Sequence, residues 1–368
     1  MARKLPKNIA EKQRIYQLPQ NIRETIPLCG IMRNGIVETT PGTFTRSYKL
    51  PDANFLTASL EDHARIYREY GAFMNSIPED IRFQVNIFSH EIDKKIIAKE
   101  LKIPPQPDGF NKLRQDCNSI VFNDLAESRK SVTQDLYFTT SITRDNAELA
   151  SKKLLQMDEE ITKSIKAITG TIPKALNGFE RMSLLHDIYN QDYGDKLTDE
   201  ESVLKAVSEG SSIKDIIGPC TPSFDFSNPS RFMIGDMYAQ ALSVSRTSWP
   251  GKMAADYLSE LVDTQNTMLI SLTYEKLPVD KAEKLAKDNM RNVSGKISEL
   301  QRKNAQDGYF VDAPQELQQA DANAKTLYDD ITMRDQRLYL TTFIIVVFAH
   351  TIEELEGEIS SLKQVSSK

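Results

Sequence analysis

The sequence predicts an α+β protein built from two tandem units of the same plan, and three observations carry that prediction. Gln134–Leu155 and Gln336–Ile359 each pass from a β-rich run straight into helical spacing, behind a polar start at Thr143-Arg144-Asp145 and at Thr351. Both runs open on a matched phrase, Leu136–Thr140 against Leu338–Thr342. The elements ahead of each run then come in the same order: a two-stranded turn region, a helix, a strand and a pair of helices. A repeat period of about 200 residues is too long for a solenoid and implies two domains. A chain of 368 residues is long enough to supply two ordinary cores.

Residues 1–33 read as a basic arm interrupted by Pro6, Pro19 and Pro27, becoming ordered only near Ile26–Met32. The first unit, residues 34–190, opens with the two strands of Ile36–Leu50, broken by Pro41-Gly42. The helix Ser59–Ser76 places Leu60, Ala64, Tyr67, Tyr70 and Met74 on one face, with Ser59 as N-cap and Glu61 and Asp62 in the first turn. Ile81, Phe83, Val85 and Ile87 alternate with Arg82, Gln84 and Asn86, as on a half-buried strand. Glu91–Lys130 forms a helical hairpin, its link fixed by Pro104, Pro105 and Pro107. A helix ending near Ile168 follows the third strand, and Thr169–Ala175 reads as a short closing strand. The result is a β-α-β-β-α-β order of ferredoxin-like type, with the hairpin inserted before the third strand. Phe179–Tyr189 adds a short helix.

Residues 191–223, with Gly194, Gly210, Gly218, Pro219 and Pro222, read as the linker between units. The second unit, 224–368, repeats the plan: two strands in Phe224–Ser245 turning at Asn228-Pro229, a helix at Lys252–Asp263 and a strand at Met268–Tyr274. A longer hairpin follows, Val279–Asn304 and Gln315–Met333. Its facing stripes are Ala282, Leu285, Asn289 or Met290, Val293, Ile297 and Leu300 against Leu317, Ala320, Ala324, Leu327 and Ile331. Such a hairpin either reaches a partner or packs on the sheet. The strand and helix after it bring the chain to Lys368 without a closing strand, so the second unit is expected to be incomplete at its C-terminus. Its sheet edge should then accept a strand from a partner.

The net charge of −6 argues against a general nucleic-acid-binding surface. Residues 1–50 nevertheless hold nine Lys and Arg against Glu11, Glu24 and Glu38, which suits an anionic membrane surface or partner as well as a solvated arm. Cys29, Cys117 and Cys220 lack C-x-x-C spacing and read as ordinary buried thiols of a reducing compartment. The charged, Pro-containing start has no apolar signal-peptide core. Leu338–Ala349 is too short to span a bilayer as a helix and suits a buried strand.

The residue patterns supply no catalytic, cofactor-binding or metal site. Neither Gly251-Lys252 nor Gly295-Lys296 completes G-x-x-x-x-G-K-[ST], because Arg246 and Met290 stand where the first glycine belongs and Met253 and Ile297 where the hydroxyl belongs. His63, His90, His186 and His350 have no His or Cys at metal-ligand spacing, and the nearest catalytic pairing is His90-Glu91. The acid pairs Glu159-Glu160 and Asp329-Asp330 read as solvated helix faces.

Four stretches carry a family resemblance: IPLCGIMRNGIVETTPGTFTRSYKL from Ile26, LEDHARIYREYGAFMNSIPEDIRFQVNIFSHEID from Leu60, FTTSITRDNAELASKKL from Phe138, and GPCTPSFDFSNPSRFMIGDMYAQALSVSRTSWPGKM from Gly218. In this order they resemble the N-terminal region of the conjugation ATPases of type IV secretion systems, the VirB/TraC/TrbE/CagE type, in the style of Gram-positive integrative conjugative elements. The resemblance implies an assembly and docking region for a RecA-like motor that is absent here. It places the chain in the cytoplasm, peripheral to the inner face of the plasma membrane. The implied partners are small membrane subunits of the secretion machinery and the C-terminal motor domain, with self-association possible and no direct nucleic-acid binding. ATP and Mg²⁺ are implied only for a full-length protein; this chain alone is expected to be inactive as an ATPase. Two other readings share parts of the pattern: a motor-less cytoplasmic adaptor of a mobile element, and a nucleic-acid-processing protein. The second would need exposed aromatics, whereas Tyr137, Tyr238 and Tyr339 read as core.

Overall fold

A computed structural model describes residues 22–51, 58–91, 102–127, 132–190, 197, 199–218, 223–224, 228–244, 257–262, 264, 266–306, 312–334 and 336–366. Residues 1–21 of the expected arm, the first helix of the first hairpin, Gly251-Lys252 and half of the helix expected at Lys252–Asp263 lie outside these. The first half runs α1 (Ile22–Thr25), β1 (Gly30–Ile31), β2 (Val37–Thr40), β3 (Thr43–Leu50), α2 (Leu60–Ser76), β4 (Ile81–Glu91), α3 (Asn111–Glu127), β5 (Val132–Thr143), α4 (Ala147–Gln156), α5 (Asp158–Thr169), β6 (Lys174–Ala175), α6 (Gly178–Tyr189), α7 (Glu200–Ser208) and α8 (Ile213–Ile217). The second runs β7 (Ser223–Phe224), β8 (Arg231–Ile234), β9 (Met237–Ser243), α9 (Tyr257–Val262), β10 (Met268–Lys276), α10 (Val279–Gln306), α11 (Gln315–Thr332), β11 (Tyr339–Ala349) and α12 (Ile352–Ser366).

The fold is α+β with one antiparallel sheet, ordered β1-β2-β3-β5-β4-β10-β11-β9-β8-β7, and β6 pairs with β3. If β7, β8, β9, β10 and β11 are set against β1, β2, β3, β4 and β5, the order reads the same from either end. The two halves therefore meet through equivalent strands, β4 and β10, in register from Arg82↔Glu275 to Ser89↔Met268. One sheet face carries the two main cores. Ile81, Phe83, Phe138 and Ile142 meet α2, α4 and α5 in the first core, and Ile270, Phe343, Ile345 and Val347 meet α9 and α12 in the second. The inward set on β4 is the one its alternation predicts.

Strand register does not follow the matched phrase. Phe138, which the phrase sets against Leu340, is 3% exposed on the helical face, whereas Leu340 is 53% exposed. In β11 the helical face belongs to the odd positions Phe343, Ile345 and Val347. Side chains alternate with a period of two, so the two copies of the phrase lie out of phase.

The junction is reinforced across the halves. Phe83 stacks on Tyr274 at 4.8 Å and 15° and meets Tyr339 edge-on at 5.7 Å. The buried Lys276 Nζ donates to the carbonyls of Asn75 at 2.8 Å and Ile77 at 2.6 Å, and Tyr339 Oη donates to that of Met74. The second half thus satisfies carbonyls that the end of α2 leaves without helical partners, with the cation where the helix dipole favours it.

Several expectations are corrected by the packing. Leu60, Tyr67 and Tyr70 of α2 are exposed, and Phe73 and Ile77 enter the core instead. The helix after β5 divides at Met157, so that Asp158 begins α5 and meets β3: Arg46 donates to both its carboxylate oxygens at 2.6 and 2.5 Å, and Tyr48 Oη donates to Oδ1 at 2.5 Å. The stretch read as a linker carries α7 and α8, whose Val203 and Ile217 pack with Met182 of α6 beside Ile26, Leu28 and Val37. In the second half the strands turn at Gly235-Asp236, with Gly235 at φ 60°, and Asn228-Pro229 precedes β8. On α10 the buried positions are Ala282 and Ala286, while Leu285 faces solvent.

Candidate docking surfaces

The outer edge of β9 follows from hairpin geometry. In a two-residue hairpin the residue after the turn points its backbone groups at the partner strand, and every second residue repeats this. Counting from Thr43, the outward positions on β3 are Thr43, Thr45, Ser47 and Lys49; counting from Met237, those on β9 are Met237, Ala239, Ala241 and Ser243. The bond from Val244 N–H to the Phe343 carbonyl, 3.2 Å, confirms that the even positions of β9 face β11. On β3 the first outward positions pair with β2 and the later ones with β6, through Tyr48↔Ala175, Lys49↔Lys174 and Leu176 N–H donating to the Ser47 carbonyl. On β9 the pairing with β8 stops at Gln240↔Arg231. Ala241 and Ser243, the counterparts of Ser47 and Lys49, pair with β11 on one side but have no ladder partner on the outer side among the described residues, and they are exposed.

The sheet face behind the helices differs between halves in the same sense. In the first half α6 covers it, with Leu184 and Ile188 on Phe88, Tyr137 and Leu269. In the second half, Leu340, Thr342 and Ile344 of β11 lie exposed. Among the described residues the second half has no counterpart of β6 and α6.

The long hairpin is closed at its base by Ala282, Ala286 and Ile331 with Leu277 and Leu338. Farther out, α10 and α11 join through half-buried residues and the bond from Ser294 Oγ to Asp321 Oδ1, 2.6 Å. At about 1.5 Å per residue, α10 is about 42 Å long. Helix α3 exposes Leu113 and Ile120.

The histidines are placed apart. His90 Nδ1 lies 3.2 Å from the Glu91 backbone carbonyl and its Nε2 3.6 Å from Asp135 Oδ2, while the Glu91 carboxylate faces His350 at 3.5 Å; His186 lies 3.6 Å from Asp187. Lys49 Nζ lies 2.7 Å from Asp135 Oδ1. His90 foremost, and then Lys49, hold the Asp135 carboxyl well below the ordinary carboxylate range against the opposing effect of burial. A depressed folded-state pKa gives stability that is complete above the unfolded value, near 3.9, and is lost as pH falls through the folded value. Asp135→Asn is therefore expected to lower stability at pH 6 by about 1 kcal/mol or less, solvent screening included, and to flatten the acid limb of a urea-midpoint series below about pH 4. An unchanged acid limb would count against this assignment.

Cys29 and Cys117 are exposed, not buried, and Cys220 lies outside the described residues. Gly295-Lys296 sits inside α10, where the backbone N–H groups are engaged in the helix and cannot cradle a phosphate. Among the described residues no group of three His, Cys, Asp or Glu is placed to hold a metal ion, and no helix is long and apolar enough to cross a membrane. Sequence reasoning expected an open edge on the second sheet, and gave no sign that Leu340, Thr342 and Ile344 on the back face of the same half would be exposed among the described residues. In comparisons with known proteins, no family model and no curated sequence matches this chain.

Proposed function

We propose that this chain is the assembly and docking region of a conjugative type IV secretion ATPase. It positions an ATP-hydrolysing motor at the cytoplasmic face of the membrane for transfer of DNA and protein. In this reading the halves are tandem ferredoxin-like units, the first ordered β6-β3-β5-β4, and a small membrane subunit of the machinery supplies the strand that has no counterpart among the described residues of the second. The observation that carries the reading is the open strand position at Ala241–Ser243, which the first half fills from its own chain. The bare face at Leu340 and Ile344 beside it gives apolar area for the rest of the partner. The order of the four resembling stretches supports the choice of family.

The test is Ala241→Pro in the native gene. Proline removes the outward N–H and leaves the pairing with β11 intact, as edge positions tolerate. The purified variant should keep its thermal midpoint. A photo-crosslinker at Ser243 should reach a subunit of the secretion machinery in the membrane fraction, and the proline should reduce that crosslink and conjugative transfer by about tenfold, the equivalent of about one backbone hydrogen bond. Undiminished transfer and crosslinking in a folded variant would rule out strand addition at this edge.

A further inference from the structure

A cavity of about 230 Å³ lies between the back face of the first-half sheet and α6. Its floor presents Thr45, Gln84, Asn86 and Thr139, and Arg181 of α6 enters it. Arg181 is 7% exposed. Its Nη2 donates to Thr45 Oγ1 at 3.1 Å, and its Nε–H has no hydrogen-bond partner among the described residues. No Asp or Glu lines the cavity among the described residues. Burial alone lowers the guanidinium pKa, to about 10, so the group remains charged at neutral pH.

A buried cation without a counter-ion is unfavourable, and the same sheet shows the usual resolution: Arg46, equally buried, is met by both oxygens of Asp158. A trapped water would satisfy Nε–H but would leave the charge uncompensated. An anion answers both needs, and the charge and lining of the cavity narrow its kind. A single cation balances a monoanion, and a phosphate dianion would find no second cation among the described lining residues. A planar carboxylate matches the guanidinium edge. Phe88, Leu184, Ile188 and Leu269 give the cavity an apolar side.

We propose that this cavity binds a small monocarboxylate, its carboxylate paired with Arg181 and its hydrocarbon body against Phe88, Leu184, Ile188 and Leu269. The site is separate from the β9 edge and does not depend on the docking reading. Calorimetric titration and thermal melting with sodium hexanoate, the neutral hexanamide and inorganic phosphate test it on the full chain. Hexanoate is expected to bind and raise the melting temperature, and hexanamide and phosphate to do neither. Arg181→Met, which keeps the side-chain length and removes the charge, should weaken hexanoate by about tenfold or more. Leu184→Trp, which fills the cavity and keeps the arginine, should weaken it similarly and carries the test if the first variant does not fold. The proposal is overturned by no hexanoate binding, by equal binding of hexanamide or phosphate, or by unchanged hexanoate affinity in either folded variant.

Discussion

Replacing Asp158 with alanine is expected to destabilise the chain by about 3 kcal/mol, because it strands a buried guanidinium. Arg46 is held on all sides: Nε and Nη2 donate to Asp158, and Nη1 donates to the Asn34 carbonyl at 2.5 Å. Its side chain is 8% exposed, and that of Asp158 is 26% exposed. The pair ties β3 to the first turn of α5, where a carboxylate also suits the helix dipole. Tyr48 adds its hydroxyl to the same carboxylate, and burial, then Asp158 itself, raises the phenol pKa far above its ordinary value. Urea unfolding of the variant measures the loss. Arg46→Met combined with Asp158→Leu should recover most of it, since a matched apolar pair leaves no charge unpaired. A loss in the single variant below about 1 kcal/mol would show that the network is solvated in solution and that α5 is held by its apolar face alone.

Phe83→Ala is expected to cost about 4 kcal/mol, and to do so in both halves at once. Phe83 packs on Phe138 at 5.5 Å within its own half and on Tyr274 and Tyr339 of the other. It is 2% exposed, so truncation leaves a cavity under the β4–β10 junction. Calorimetry of the unaltered chain should show a single main transition, displaced as a whole to lower temperature in the variant. Two transitions of which only one moves would mean that the halves unfold independently despite the shared sheet.

How far the fold was readable depends on how local each signal is. The strand at Ile81 declares its buried face by simple alternation, and Ser59 marks the start of α2 because its hydroxyl accepts from the Asp62 N–H. The buried stripe of α2 was misread because two tyrosines and a leucine at helical spacing look apolar. The sheet instead selects Phe73 and Ile77, which lie over Phe138 and Ile81. Turn chemistry was present at both Asn228-Pro229 and Gly235-Asp236, and only the pairing of Ile234 with Met237 decides between them. Gly and Pro around residues 191–223 obscured α7 and α8, although Asp199 and Ser212 are readable caps. The merger of the halves at β4 and β10 carries no local mark, because an edge strand and a central strand can have the same composition. Arg181 is the extreme case: nothing in its neighbours distinguishes an arginine sealed under a helix from one on its surface.

The mirrored strand order has a consequence for how the edge of β4 is closed. A half built alone would end in β4, an eleven-residue strand, and the natural partner for such an edge is the same edge of another copy, related by a two-fold axis. Here that partner is covalently attached: β10 occupies β4 from Arg82 to Ser89 and presents β11 in turn. A contact that would otherwise depend on concentration is thereby made within one molecule, at the effective concentration set by the connecting chain. The longest edge in the fold is closed before any second molecule arrives.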